Sequence, residues 1–226
     1  LDPDRLALYH YAHLPHIFKP QRRIDTDAVP GSEEKLDMLQ YCVQTLTCRG
    51  YVFIGMDHFA KPDDELSVAL REGLLQRNFQ GYSTYADCDL VAIGVSSIGK
   101  IGSTYSQNER NIDDYYAAID AGHLPVMRGY QLNQDDLLRR TVIQDLMCRF
   151  ALDYRAYESV FGIPFGHYFK EELADLQQLA ELGLVRLSSH GLKVTPKGRF
   201  LIRNIAMVFD YHLRHRETTA QYSQTV

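Results

Sequence analysis

Tyr51-Val52-Phe53-Ile54-Gly55, continued by Met56-Asp57-His58-Phe59-Ala60-Lys61-Pro62, is the stretch on which the reading of the chain turns. Its first residues are aromatic, β-branched and apolar without a polar break, the pattern of a short strand buried on both faces. Upstream, Ser32 to about Arg49 reads as a helix, with Ser32 as cap, Glu33 and Glu34 in the first turn and Gly50 past its end. Leu36, Leu39, Val43 and Leu46 share one face of that helix. Further upstream, Arg5 to His13 alternates polar and apolar residues and reads as a strand. Strand, helix, strand with tight connections is the signature of a βα repeat and a parallel sheet.

Downstream, Asp63 opens a helix to about Gly73, with Asp63, Asp64 and Glu65 in its first turn, and Asn78 to Asp87 is polar and turn-rich. Leu90 to Val95 reads as a third buried strand, and Asn111 to Ala121 as a helix. The character changes near Pro125. Val126 to Leu132 reads as a strand, and Gln134 to Phe150 as a helix with Leu137, Leu138, Val142 and Leu146 inward. Helices follow over Tyr154 to Phe161 and Tyr168 to Leu182. Two short strands, Leu184 to Leu187 and Leu192 to Thr195, flank a turn at Ser188-Ser189-His190-Gly191 with glycine at the positive-φ position. A last helix starts at Pro196 and runs to about Arg214, and the residues beyond it read as frayed. Helices, hairpin, helix is a winged-helix order. The expected division is residues 1–125, an α/β part, and 126–226, a mostly helical winged-helix-like part.

A 226-residue chain that is 45% hydrophobic and 23% charged can fill one large domain or two smaller ones. Its net charge of -5 provides no global attraction to nucleic acid or anionic lipid. No apolar run approaches the roughly 20 residues that a bilayer span needs, and no signal peptide is visible, so a cytoplasmic protein is expected. Cys42, Cys48, Cys88 and Cys148 form no CxxC pair and no CxxxCxxC triplet; they read as reduced structural thiols, and no metal site is expected. A chain that opens at Leu1 and passes almost at once into a strand reads as a truncated or proteolytic piece.

In α/β architectures ligands gather at the C-terminal ends of strands. Tyr11 to His16, Gly55 to Lys61 and Gly94 to Gly102 occupy that position and are expected to converge on one mouth. His10, His13 and His16 recur every third residue, but Pro15 and the strand pattern make them loop histidines rather than a metal face. Asp57 and His58 are adjacent in an extended segment, where neighbours do not easily hydrogen-bond, so each is expected to act singly. Lys19, Arg22 and Arg23, with Arg77, form a basic group able to hold carboxylates. DNA binding by the winged-helix half is disfavoured: the helix that would enter the groove carries Glu171, Glu172, Asp175 and Glu181 against Lys170.

Gly55-Met56-Asp57-His58-Phe59-Ala60-Lys61-Pro62-Asp63-Asp64-Glu65-Leu66 resembles a signature of the oxygen-independent coproporphyrinogen III oxidases. Arg77-Asn78-Phe79-Gln80-Gly81-Tyr82, Gly94-Val95-Ser96-Ser97-Ile98, Tyr9 to Pro15, and Thr195-Pro196-Lys197-Gly198-Arg199 with Ile202-Arg203-Asn204-Ile205 extend the likeness over essentially the whole chain. The resemblance implies an α/β fold: the C-terminal part of an incomplete, three-quarter βα barrel followed by a mostly helical winged-helix-like domain. It implies porphyrin biosynthesis, in which two propionates of coproporphyrinogen III are oxidatively decarboxylated to vinyl groups, giving protoporphyrinogen IX. It implies a [4Fe–4S] cluster that cleaves S-adenosylmethionine to a hydrogen-abstracting radical, and two bound S-adenosylmethionine molecules. By motif match, Ala12, Gln80 and Ile98 would lie against the second of these. The cluster loop, CxxxCxxC, is absent here, so no catalytic residue and no cluster ligand is expected in this chain, and the fragment alone is expected to be inactive. Substrate candidates are Arg22, Arg23, Arg77 and His58. The full-length enzyme is expected to be a monomer with coproporphyrinogen III as its small-molecule partner, no nucleic acid or membrane partner, and the electron donor open. A radical relative that binds or inserts haem without oxidase activity is the alternative, ahead of a DNA-binding regulator.

Overall fold

The computed structural model describes residues 2–86 and 88–215; Leu1 and the frayed end read from the sequence lie outside them. β1 (Arg5–Ala7), α1 (Ser32–Cys48), β2 (Val52–Gly55) and β3 (His58–Ala60) open the chain. The expected parallel pairing is not what forms. β3 folds back on β2 through a tight turn at Met56-Asp57 and lies between β1 and β2, antiparallel to both. Met56 adopts a left-handed φ of 52°, which takes the chain out of the extended conformation and lets the hairpin close. β1 is also shorter than the alternation suggested: past Ala7 the chain stays extended without ladder partners, with only the Leu8 N–H donating to the Asp57 carbonyl at 2.8 Å.

α1 spans the expected residues, but Ser32 is its first residue, and Gly31 before it makes no side-chain cap. Half of the inward face packs as read: Val43 and Leu46 meet Tyr51, Phe53 and Phe59 in a small core with Leu6, while Leu36 and Leu39 lie outside it. α2 (Glu65–Glu72) is capped by Asp64, which accepts from the Leu66 N–H at 2.8 Å and also pairs with Arg5 at 2.7 Å. The acidic end of the Lys61–Leu66 segment therefore ties the first strand to the second helix.

β4 (Gln76–Asn78) and β5 (Gly81–Ser83) form a hairpin whose second strand falls in the stretch that read as turn-rich. β6 (Ile98–Ile101), β7 (Thr104–Asn108), α3 (Ile112–Asp120) and β8 (Val126–Gln131) follow, the strands forming an antiparallel sheet in the order β6-β7-β8. Leu90 to Val95 is not a buried strand. Leu90 makes a single bridge to Lys100, while Val91 and Ile93 are exposed. The buried Asn108 amide donates to the carbonyls of Ala92 and Gly94, so a side chain satisfies this backbone where a ladder was expected.

α4 (Gln134–Arg149) begins with a reciprocal capping box between Asn133 and Asp136. β9 (Ala151–Asp153), α5 (Tyr154–Phe161), α6 (Phe165–Tyr168), α7 (Lys170–Glu181), β10 (Val185–Leu187), β11 (Gly191–Val194), α8 (Ile202–Met207) and α9 (Tyr211–Arg214) complete the chain. The wing has a third strand, β9, paired to β11. Gly191 does not take a positive φ; it is needed because a Cβ there would run into the Leu152 carbonyl of β9. The single helix expected after Pro196 is a 3-10 turn over Gly198–Leu201 followed by α8 and α9, separated at Phe209-Asp210.

One main core joins both parts. Ile54, Ala60, Leu66, Leu75 and Tyr82 from the first share it with Leu138, Val142, Leu146, Phe165, Phe169, Leu176, Ile205 and Phe209 from the second. Burial of this apolar surface is the main favourable term for the fold. Among the described residues no helix is long and apolar enough to cross a membrane.

Candidate functional site

The extended segment after β1, the hairpin tip at Met56-Asp57 and the turn leading into α8 enclose a cavity of about 370 Å³. Tyr9 and Ala12 form one side, Leu39 of α1 the floor, and Phe200 with Ile202 the side given by the C-terminal part. The backbone N–H groups of Tyr9, His10, Tyr11 and Ala12 have no hydrogen-bond partner among the described residues. The segment is nevertheless held in place. Gln21 accepts from the Leu14 N–H at 2.6 Å and donates to the Ala12 carbonyl at 3.0 Å. A single amide thus replaces two rungs of a strand ladder.

Asp57 and His58 are an oriented pair, against the expectation for neighbours. His58 Nδ1 lies 2.7 Å from Asp57 Oδ1, with both side chains only 17% exposed. The reason is the turn: with Met56 left-handed, consecutive side chains no longer point to opposite faces. The carboxylate fixes the ring so that Nδ1–H donates and Nε2 faces the β4–β5 hairpin. A Cβ on Gly81 would sit 3.0 Å from His58 Nε2, so the glycine is what lets the imidazole lie against that hairpin. His58 also meets Tyr9 and Tyr82 edge-on, with ring centroids 6.2 and 5.3 Å away.

The sequence candidates fall in three places. Ala12 is exposed on the cavity wall. Gln80 is exposed at the tip of the β4–β5 hairpin, its N–H donating to Asn78. Ile98 is half-buried at the start of β6. Contacts link them in series: Tyr9 to His58, His58 to Gly81 and Tyr82, and Phe79 to Tyr105 of β7 at 5.3 Å. The three segments do not line one cavity, however. Gly94 to Gly102 belongs to the β6-β7-β8 sheet and takes no part in the wall.

The basic candidates are dispersed. Arg22 donates to the Pro15 carbonyl at 2.9 Å and so folds its own loop, and Arg23 is exposed beside it. Arg77 lies on β4 with its guanidinium 5.7 Å from the Tyr82 ring centroid. None of these lines the cavity. His10, His13 and His16 do not assemble; the Tyr11 hydroxyl lies 3.1 Å from His13 Nδ1.

Among the described residues no group of three His, Cys, Asp or Glu is placed to hold a metal. Cys48 and Cys88 are exposed, Cys42 is half-buried, and Cys148 is buried in the main core, where burial pushes its thiol up to about 12. Such scattered thiols do not fit an iron–sulfur cluster. The open backbone edge at Tyr9–Ala12 does fit a planar polar group such as a nucleoside, since its N–H groups are available beside an apolar wall.

Sequence reasoning missed the contribution of the C-terminal part. Thr195 donates to the Gly183 carbonyl at 2.8 Å and accepts from the Gly198 N–H at 3.0 Å. Gly198 lies where a Cβ would collide with the Leu184 carbonyl. This turn projects Arg199 onto β2 and brings Phe200, Ile202, Arg203 and Asn204 to the cavity. The Thr195–Arg199 motif was the available signal, but its role depends on a contact between residues far apart in sequence.

Residues 132–201 match the family described as HemN C-terminal domain. The oxygen-independent coproporphyrinogen III oxidase of Salmonella typhimurium is 50% identical over 226 residues, covering 100% of this chain and 50% of that protein. That of Thermostichus vulcanus is 47% identical over 217 residues, covering 96% of this chain and 67% of that protein. A solved structure of the Escherichia coli coproporphyrinogen III oxidase, described as a radical SAM enzyme, is 50% identical and superposes with a TM-score of 0.89 over 93% of this chain and 49% of that one. The fold is thus an α/β fold of the radical S-adenosylmethionine enzyme class. The chain belongs to the oxygen-independent coproporphyrinogen III oxidase family. It spans about half the length of most of the curated relatives it matches.

Proposed function

We propose that this chain forms part of the substrate- and cofactor-binding wall of an enzyme of haem biosynthesis that converts two propionates of coproporphyrinogen III to vinyl groups, giving protoporphyrinogen IX. The observation that carries the reading is where the family-like segments lie: Tyr9–Ala12, Met56-Asp57 and Phe200–Asn204 are distant in sequence and border one cavity. S-adenosylmethionine, cleaved at a [4Fe–4S] cluster whose ligands are not in this chain, supplies the hydrogen-abstracting radical when bound. Two S-adenosylmethionine molecules are proposed, with Ala12, Gln80 and Ile98 against the second. The open N–H edge beside Ala12 supports this for the first of those residues.

This chain's own contribution is binding and positioning. Asp57 holds His58, which with Tyr9 and Tyr82 braces the cavity wall against the hairpin carrying Gln80. His58 is proposed to contact substrate or cofactor, and Arg22, Arg23 and Arg77 remain candidates for the outer propionates. Residues 1–125 are proposed as the βα-barrel part and 126–226 as the winged-helix-like part, with β8 pairing back across that boundary to β7. The full-length enzyme is proposed to be a cytoplasmic monomer, without nucleic-acid or membrane partners and with the electron donor left open.

Anaerobic assay of the full-length enzyme carrying this chain, reconstituted with iron and sulfide, tests the reading. Carbon dioxide release and protoporphyrin formation are expected from coproporphyrinogen III, and none from residues 1–226 alone. Tight haem binding without decarboxylation would overturn it in favour of a haem-inserting relative.

A further inference from the structure

The cavity has a cation on each of two sides, and neither is otherwise engaged. Lys35 projects from the second turn of α1, and Arg203 from α8, so each comes from a different part of the chain. Among the described residues neither takes part in an ion pair or a side-chain hydrogen bond. Several arginines of the C-terminal region do have acidic partners: Arg139 pairs with Asp135 and Glu172, Arg149 with Asp145, and Arg214 with Asp175 and Glu171; Arg199 is instead held by the Phe53 and Ile54 carbonyls. The one carboxylate on the cavity wall, Asp57, is committed to His58 at 2.7 Å. Two cations without an acidic partner among the described residues therefore border a space whose one carboxylate is engaged by His58, and whose remaining wall is mostly aromatic and aliphatic with His10 and Asn204 as its other polar groups.

We infer that Lys35 and Arg203 form a carboxylate-binding subsite that seats one propionate-bearing pyrrole of the substrate in this cavity. The inference rests on the functional reading above and deepens it by assigning the anchor to residues that the motif likeness does not single out as substrate ligands. Size supports one ring rather than the whole macrocycle: a cavity of about 370 Å³ is near the lower end of the range for small-molecule sites, roughly 300–1,000 Å³. An apolar wall of Leu39, Phe200 and Ile202 suits the pyrrole edge, and the two cations suit its carboxylate. Arg203 provides a planar fork able to bind the carboxylate with two parallel hydrogen bonds, and Lys35 adds a point charge. The propionate so held is then a positioning handle.

The test uses the full-length enzyme carrying this chain and two probes, coproporphyrin III and its tetramethyl ester, which differ only in the carboxylates. Binding is followed by porphyrin fluorescence. In the Lys35→Met/Arg203→Met double variant the Kd for coproporphyrin III should rise about tenfold or more, with each single variant intermediate and Arg203→Lys retaining part of the affinity. The ester should bind wild type and double variant alike. An unaltered coproporphyrin III Kd, or an equal loss for acid and ester, would overturn the subsite. Failure of the wild type itself to bind coproporphyrin III would instead overturn the functional reading on which it stands. Circular dichroism identifies any variant that has lost its fold, and the Lys35→Gln and Arg203→Gln single variants then decide by the same comparison.

Discussion

Arg199 donates to the Phe53 carbonyl at 2.8 Å across 146 positions of sequence. It also reaches the Ile54 carbonyl at 3.2 Å and stacks 4.3 Å from the Phe150 ring centroid and 5.4 Å from that of Phe53. Among the described residues no carboxylate balances it. Burial draws its guanidinium below the usual arginine range, and the charge is compensated only by carbonyl dipoles and ring faces. This contact locks the strand before the Met56-Asp57 tip to the turn before α8, and so sets the width of the cavity between them.

Arg199→Ala should cost about 2–4 kcal/mol, because two carbonyls lose a charged donor and two rings lose their cation. Arg199→Lys should recover less than half of that, since an ammonium cannot stack and bridge both carbonyls together. Urea denaturation of the full-length enzyme measures both; a near-neutral Arg199→Ala would refute the clamp.

Gly198→Ala should be at least as damaging, about 3 kcal/mol or more, because the added methyl meets the Leu184 backbone rather than a movable side chain. Gly166→Ala, where nothing lies within 4 Å of the added carbon, is the control and should be within about 0.5 kcal/mol of wild type. Thermal melts of the two variants side by side provide the comparison.

Much of this architecture could be read from residue order. α1, α2, α4 and α5 appear close to where periodicity and caps put them, because each carries its own apolar stripe and terminal signals. Strand partners could not be read, since pairing depends on a turn whose decisive feature is the left-handed φ of Met56, a residue that does not advertise it. Leu90 to Val95 misled for a related reason: an apolar run looks like a buried strand, whereas side chains, Asn108 and Ser97, take up the carbonyls of Ala92, Ile93 and Gly94. At the site, Ala12 and Asp57 do reach one cavity as expected, although Ala12 lies five residues past the end of β1 and Asp57 in a hairpin turn. Lys35 and Phe200 were invisible there, and Arg203 was legible only as part of a family-like segment, because helix and turn residues reveal a wall only after the elements have been packed.

Asp57→Asn should leave the fold intact and release the His58 tautomer. Nitrogen-15 shifts of the His58 ring are expected to show a protonated Nδ1 in the wild type and a tautomer mixture in the variant. If His58 touches substrate or cofactor as proposed, turnover should fall roughly 10- to 100-fold, the usual cost of losing an orienting partner. Unchanged ring shifts would show that the 2.7 Å contact does not orient the imidazole.

The thiols should respond in a fixed order. Cys48 and Cys88 are exposed and should alkylate readily at pH 8, whereas Cys148, pushed up to about 12 by burial, should stay unmodified until the protein unfolds. Peptide mapping by mass spectrometry after iodoacetamide treatment reads this directly, and early labelling of Cys148 would contradict its placement.

Acid should loosen the junction at Asp136. Burial works against its carboxylate, but the Asn133 N–H, His212 and Tyr130 together outweigh it and hold the group below its ordinary 3.8. A depressed carboxylate contributes stability above its unfolded value and loses it as pH falls through the lower folded value. The stability gap between wild type and Asp136→Asn should therefore be full at pH 5–7 and shrink below about pH 4. A gap independent of pH would show that the charge is not what matters there.

The fork made by Gln21 has a consequence for how this protein can vary. Because one amide grips both Ala12 and Leu14, the number of residues between the grip and its targets is part of the structure. Surface loops ordinarily absorb inserted residues at little cost. Here a residue added between Leu14 and Gln21 would pull the amide out of register and release the edge beside Ala12, whereas one added near Pro30 would disturb neither bond. The same loop is thus rigid in length on one side of Gln21 and permissive on the other, so lineages of this enzyme should gain and lose residues on the far side only.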